Sequence, residues 1–589
     1  MTALLDHLRT HKTPSRWLAA LRALVRTDSL WLIVLAAITG ILAGLAVSLI
    51  TFTTLLAHNM LAPGYKRLSG LEHVAPWRAL LVPATGGLLL GLWHYALQRH
   101  NRHRPVDPIE ANALHGGRMS LRDSLIVTGQ TILSNGCGIS LGLEAGFSQI
   151  GSAFGSRIGR NLRMHRADVR LLVGCGAAGA IGSAFDAPLA GAFYAFELII
   201  GSYAFPLLAP VACASLCALA VVHLTGETLP AITMTIPQDV PPLAYPLLAV
   251  LGGISALIGV TLMKSAAYAE QVFATCVRPV WLRPMVGGLL VGGLAILSPT
   301  VLSSGHIAMR AGLVNPPLFW AAIGLLLLKA AASTLSIGSG FRGGLFFASL
   351  YLGVLTGAAF ASVVTPIMDI SLALCTVAGM CALATAIIGG PLTMILLTLE
   401  TTHSANLTAA VALTALVASF TVKRIFGYSF ATWRFHLRGE NIRSGVDVGW
   451  MRTLTVGRMM RTQLDLLDAS TTVANARTIF AGRMPRYIVL HDGYNHYAGL
   501  LESNLIQSIA IAPDQPLAAI VDNDGEVLSP DYSIGHAVAA FERTARPALA
   551  VTDKDGRILG ILSERYVLRR YAEELERTRR ELAGEKHGK

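Results

Sequence analysis

A lone carboxylate stands inside the glycine-rich turn Gly142-Leu143-Glu144-Ala145-Gly146, deep in apolar sequence. Two more, Glu197 and Glu400, each lie nine residues beyond a proline that opens an apolar run, Pro188 and Pro391. Acids so placed are costly and therefore functional by default. The chemistry open to them is proton binding, or competition with an anion for backbone N–H groups at helix N-termini. Glu144 carries the stronger claim, its ordinary alternative being a helix cap. For Glu197, a proton relay and a helix anchor are equal readings.

The elements that must position these acids form a repeat. Asp186–Glu197 and Gly390–Glu400 are one phrase written twice. Gly142-Leu-Glu-Ala-Gly precedes Pro188 by 46 residues, and Gly344-Leu345-Phe346-Phe347-Ala348 precedes Pro391 by 47. Repeated halves with Gly- and Pro-broken apolar segments at matching places point to a transporter whose site lies at the repeat interface near the bilayer midplane. Of the 589 residues 53% are hydrophobic and 14% charged, against about 25% charged in soluble domains. Leu30–Leu56, Ala79–Leu97, Ala204–Leu224, Leu243–Met263, Pro284–Leu297, Leu318–Ala332 and Leu407–Val422 are long enough to cross, or nearly cross, a bilayer. Ser148–Phe154, Val173–Ala184 and Ala187–Ile200 are shorter and read as half-helices or tilted helices shielded from lipid.

Residues 1–29 are basic, with Arg9, Lys12, Arg16, Arg22 and Arg26 and no small-residue cleavage site, so they read as a cytoplasmic amphipathic helix. Basic clusters at Arg157–Arg170 and Lys423–Arg438 also place cytoplasmic faces. The expectation is a multi-pass inner-membrane protein with both termini in the cytoplasm. The net charge of +12 needs no nucleic acid. The seven cysteines lie in the apolar part without metal-type spacing and read as small buried hydrophobes. An intramembrane enzyme would need a His-Glu-x-x-His helix or a comparable constellation, and His306 and His403 stand alone. A divalent-cation transporter would need midplane acidic clusters, which are lacking.

Past about Val446 charges become frequent and a second repeat begins. Pro485-Arg-Tyr-Ile-Val-Leu matches Pro547-Ala-Leu-Ala-Val-Thr, each followed by an Asp-x-Gly type turn and by Gly499-Leu-Leu-Glu-Ser or Gly560-Ile-Leu-Ser-Glu. Two βαββα units are expected. This stretch resembles tandem CBS domains, at 452–512 and 513–575, ahead of a charged tail at 576–589. CBS pairs often hold adenine nucleotides. Ser503 and Ser563 match the hydroxyl position, but the later acidic position reads Ile506 and Tyr566, so a structural, dimer-forming pair is the equal alternative.

Residues 30–440 resemble the CLC family of chloride channels and proton-coupled anion antiporters. The resemblance rests on Gly142-Leu-Glu-Ala-Gly-Phe-Ser-Gln-Ile-Gly, Gly174-Cys-Gly-Ala-Ala-Gly-Ala, Ala187-Pro-Leu-Ala-Gly with Glu197, Gly343-Gly-Leu-Phe-Phe-Ala, and Gly390-Pro-Leu-Thr with Glu400. It implies an all-α, inverted-repeat membrane domain, a voltage-gated homodimer with one pore per subunit, and a cytoplasmic CBS pair that regulates it. It also implies Glu144 as the gate, with chloride held by Gly142, Leu143, Ala145, Gly146, Gly344, Leu345, Phe346 and Phe347.

The chain departs from the family at several points. The basic residue and proline beside the gate are Leu143 and Gly146, and the proline of the second phrase is Ala348. The segment that supplies a pore serine reads His103-Arg104-Pro105-Val106-Asp107, where Arg104 is a candidate for drawing anions into the vestibule. The inner pore tyrosine falls at Ala431, with Tyr428 shifted nearby. Loss of both hydroxyls implies a wider inner side and an open question of which anion is carried. The antiporters' inner proton-transfer glutamate falls at Leu198, which carries no proton. Passive chloride conduction is the reading this favours. The alternative is proton-coupled antiport through Glu144 and a non-standard inner relay.

Overall fold

The computed structural model describes residues 30–61, 68–70, 74–99, 105–226, 240–368, 370–438, 455–482, 485–507, 511–521 and 526–570. The basic lead, Arg104 and the charged tail lie outside them. The chain forms two compact units, 1–447 and 448–589.

The first unit is helical throughout its described residues. In chain order it contains α1 (Leu30–Leu61), α2 (Pro76–Arg99), α3 (Pro108–Leu114), α4 (Leu121–Gly136), α5 (Glu144–Asn161), α6 (Arg166–Phe185), α7 (Pro188–Tyr194) and α8 (Phe205–Leu224). There follow α9 (Ala244–Cys276), α10 (Arg283–Leu297), α11 (His306–Val314), α12 (Phe319–Gly338), α13 (Phe346–Val364), α14 (Leu372–Ile388), α15 (Pro391–Thr402), α16 (Ala405–Ile425) and α17 (Phe430–Leu437). A π-helical turn, Ala195–Ile200, prolongs α7. Nine stretches among the described residues are long and apolar enough to cross a bilayer.

The order α1–α8 is repeated by α9–α16. Equivalent elements match in length: 32 and 33 residues for α1 and α9, 18 and 19 for α5 and α13, 20 and 21 for α8 and α16. They also match in packing, since α5 lies on α6 as α13 lies on α14, and α1 on α8 as α9 on α16. Glycines set two of these contacts. A Cβ on Gly151 of α5 would meet the Gly176 carbonyl oxygen of α6 at 2.3 Å, and one on Gly353 of α13 would meet that of Gly379 of α14 at 2.5 Å. Gly151 and Gly353 each lie nine residues past Gly142 and Gly344, so the close backbone approach is itself part of the repeat.

One expectation is narrowed. Of the half-helix and the shielded, tilted helix expected for Val173–Ala184, the half-helix is excluded, because the run is the main part of α6, 20 residues long, apolar enough to span and largely buried. Its glycines serve close packing against α5 and α7 rather than a break in the helix. The helix stops instead at Asp186, whose left-handed backbone (φ 56°) turns the chain into Pro188 at the head of α7.

The second unit holds two small sheets. Strands β1 (Leu466–Asp468), β2 (Tyr487–His491) and β3 (Tyr497–Glu502) form one, with β1 parallel and β3 antiparallel to β2. Strands β4 (Ala548–Thr552) and β5 (Ile558–Ser563) form the other, antiparallel. The same turn is built twice: Asp492 Oδ1 accepts from the Tyr494 and His496 N–H groups, and Asp553 Oδ1 from those of Asp555 and Arg557. The units differ in their first strand. Where β1 stands in the first, the second has a single parallel bridge, Leu528 to Val551. The Ser503 hydroxyl donates to the Pro485 carbonyl, and Ile506 is fully buried.

Candidate functional site

The glycine-rich phrases of the two halves meet. Gly142 N–H donates to the Gly344 carbonyl at 2.9 Å, and Gly344 N–H returns the bond to Gly142 at 3.1 Å. This antiparallel bridge brings the N-terminus of α5, from Glu144, against that of α13, from Phe346. The first N–H groups of a helix have no partner within it, and the helix dipole places partial positive charge there. Two such ends facing one point make an anion cradle.

The Glu144 carboxylate occupies that cradle. Its Oε1 accepts from Phe347 N–H at 3.1 Å, and the amides of Glu144 itself and Phe346 also act on it. The residue is 5% exposed. Its Oε2 has no hydrogen-bond partner among the described residues. A buried carboxylate with one oxygen held and one unheld is costly as an anion, which favours a group that takes a proton or leaves. The helix-capping role considered for Glu144 and the anion-site role are thus one geometry, because the end it caps belongs to the other half of the chain.

Glycine at 142 and 344 is what makes room. A Cβ on Gly142 would lie 1.8 Å from Glu144 Oε2, and one on Gly344 would lie 2.7 Å from Glu144 Cγ. At Gly142 the obstacle is the end of a movable side chain, so the fold tolerates the substitution. Gly142→Ala is therefore expected to drive the carboxylate out of the cradle and raise anion flux. Combining it with Glu144→Ala should add nothing to the effect of Glu144→Ala alone. Flux in reconstituted vesicles checks this, and additive effects would refute the clash.

Lys329, within the apolar α12, is the functional candidate that the sequence analysis missed. It is fully buried, and its Nζ donates to the carbonyls of Val301 at 3.0 Å and Ser303 at 2.8 Å. It is close enough to Glu144 for mutual electrostatic attraction. The only signal in the sequence was the charge itself, set three residues before the end of the apolar run Leu318–Ala332.

A cavity of about 210 Å³ leads away from Glu144. Ala145, Gly344, Leu345, Phe346 and Ala431 line it, as does Leu198, where a titratable relay was sought. Leu143 occupies the N-cap position of α5, and Gly146 sits against Thr131 of α4. Tyr428 does not reach this cavity. It stacks on His436 at 4.6 Å between ring centroids and lines a separate cavity beside Glu197. The hydroxyls whose loss was expected from Ala431 and the altered serine segment are present from other elements: Ser148 of α5 and Tyr194 of α7. Both line the cavity together with Glu144 and Asp107.

Phe185 lies tilted against Phe346 and stacked on Phe347, with centroids 4.4 and 4.2 Å apart. Phe347 also lines a second cavity, about 160 Å³, with Asp186, His306, Arg310 and Glu400. Phe346 and Phe347, adjacent at the start of α13, thus line one cavity each.

Glu197 and Glu400 lie apart from the cradle and act as a reciprocal pair. Glu197 accepts from Leu392 N–H (2.9 Å), Thr393 N–H (2.8 Å) and the Thr393 hydroxyl (2.5 Å) at the start of α15. Glu400 accepts from Leu189 N–H (2.7 Å) and Ala190 N–H (2.8 Å) at the start of α7. Each half's carboxylate holds the other half's helix, the use to which N-terminal N–H groups put an acid. The anchoring reading of Glu197 accounts for both of its oxygens.

Residues 103–423 match the family described as voltage gated chloride channel, and residues 517–573 match the CBS domain. The voltage-gated ClC-type chloride channel ClcB of Salmonella typhimurium is 30% identical over 396 residues, 66% of this chain and 94% of that protein. Among solved structures, a slow cyanobacterial Cl−/H+ antiporter superposes with a TM-score of 0.61 at 21% identity, over 69% of this chain and 97% of its own. A eukaryotic CLC transporter superposes with a TM-score of 0.55 at 16% identity, over 93% of this chain and 98% of its own.

Proposed function

The chain belongs to the voltage-gated chloride channel (CLC) family, and on that premise we propose that it moves chloride, or an anion of similar size, across the membrane in exchange for protons. The observation that carries this reading is the seat of Glu144. A carboxylate and a halide compete for the same N–H groups, and protonation of the carboxylate is what frees the cradle. Binding by partial charges, backed by one buried lysine, holds the anion weakly enough for it to leave. The solved cyanobacterial protein of the same fold is a Cl−/H+ antiporter. Exchange is preferred here to the passive conduction that Leu198 favoured, because the cavity beside Leu198 carries other titratable groups.

The protein acts as a transporter and not as an enzyme. We place it in the inner membrane as a homodimer with one pathway per subunit and both termini cytoplasmic, on the basic clusters and the family premise. The second unit is assigned a regulatory role on the same premise.

Purified protein in chloride-loaded vesicles tests the reading, with chloride and internal pH followed together. Chloride leaving down its gradient should drive protons inward against theirs. Chloride flux with no linked proton movement would restore the passive channel, and no flux of any anion would overturn both.

A further inference from the structure

We propose that Asp107 is the inner proton acceptor, handing protons to Glu144 past the Tyr194 and Ser148 hydroxyls; this rests on the exchange reading. A proton crossing the membrane interior needs titratable or hydroxyl-bearing groups at each step, since apolar side chains give it nowhere to stay. Leu198 offers nothing, and both Glu197 oxygens are held by the start of α15. Among the described residues lining the cavity that contains Glu144, Asp107 is the other carboxylate.

Asp107 precedes α3, where its Oδ1 accepts from Ile109 N–H at 2.9 Å. That bond fixes the side chain at the cavity wall. Tyr194 lines the same cavity as Asp107 and Glu144, and so does Ser148, one helical turn beyond Glu144 on α5. Charged groups face this space from other elements as well: Arg342 follows α12, and Arg434 and Arg438 come from α17 and its end. These cations offset the repulsion that a bare carboxylate would exert on an entering anion. Arginine keeps its proton throughout, so the carboxylates that exchange protons on this path are Asp107 and Glu144, with the Tyr194 and Ser148 hydroxyls between them.

The step is a proton transfer that balances within the chain. An Asp107 O–H bond breaks, the hydroxyls or water in the cavity pass one proton along, and an O–H bond forms on Glu144. Asp107 is left as carboxylate, ready for the next proton from the α17 side. Neutral Glu144 then gives up its place to the anion and releases its proton on the far side.

The test measures protons moved per chloride in vesicles for wild type, Asp107→Asn, Asp107→Glu and Glu197→Gln. Asparagine keeps a capping oxygen and removes titration. Expected is coupling in the wild type, at least a ten-fold fall in protons per chloride for Asp107→Asn with chloride turnover continuing, recovery in Asp107→Glu, and coupling retained in Glu197→Gln. Coupling intact in Asp107→Asn would overturn the relay while leaving exchange standing. Loss of coupling in Glu197→Gln but not in Asp107→Asn would move the relay to Glu197. An uncoupled wild type would refute the exchange reading itself. Should Asp107→Asn fail to fold, Asp107→Ser, which keeps the N-cap, answers the same question.

Discussion

Replacing Glu144 by alanine is expected to abolish proton movement entirely while chloride flux continues and loses its dependence on pH. The substitution empties the cradle without disturbing its walls. The N–H groups of residues 144, 346 and 347 stay where the backbone puts them, held by the paired bonds between Gly142 and Gly344. Alanine suits the first turn of a helix, so α5 keeps its start. On the exchange reading, what goes is the group that both competes for the anion's place and carries the proton. Chloride then needs no protonation event to enter. Vesicle flux measured across a range of pH decides the matter: stoichiometric proton transport by Glu144→Ala would remove Glu144 from the coupling path, and a total loss of chloride flux would mean that the carboxylate is needed for passage.

The second large effect is expected at Lys329. Methionine in its place keeps much of the side chain's length and removes the charge. Replacing a buried charge by an apolar side chain often leaves stability unharmed, although here the Val301 and Ser303 carbonyls lose their donor, at about 1–3 kcal/mol each. The larger change is in the field at the cradle. A unit charge acting on another several ångströms away through an effective dielectric constant of about 20 is worth on the order of 2 kcal/mol, roughly thirty-fold in binding. Lys329→Met should therefore weaken chloride binding by about that factor, read as calorimetric affinity or as the chloride concentration at half-maximal flux. Arginine at 329 should weaken it less. Unchanged affinity in a folded Lys329→Met protein would show that the helix ends alone bind the anion.

The repeated phrases made the helical, inverted-repeat fold legible, because each phrase marks the end of one helix and the start of another. The short run Val173–Ala184 left a half-helix open for a physical reason. Glycine in water-soluble sequence signals a break, whereas Gly174, Gly176 and Gly179 here let helices touch in an apolar setting. Around the cradle, local sequence placed the residues of α5 and α13, which are read within single turns. Asp107, Tyr194 and Ser148 were not legible as a group, since three elements far apart in sequence bring them to one cavity. Tyr428 was sought there because it lies near Ala431 in sequence. The turn before α17 instead directs it to stack on His436 and to lie tilted against Trp433.

The crossed carboxylates Glu197 and Glu400 bear on how such a chain can arise and be built. Neither half supplies the partner its own acid needs, so a chain of half the length would leave one glutamate and one helix start unpaired in the membrane interior. Only a second copy inserted upside down would complete it. During synthesis the same dependence holds in time: α7 has no acid at its start until Glu400 has been made, some two hundred residues later. Both holds therefore close together, and only once α15 is in place.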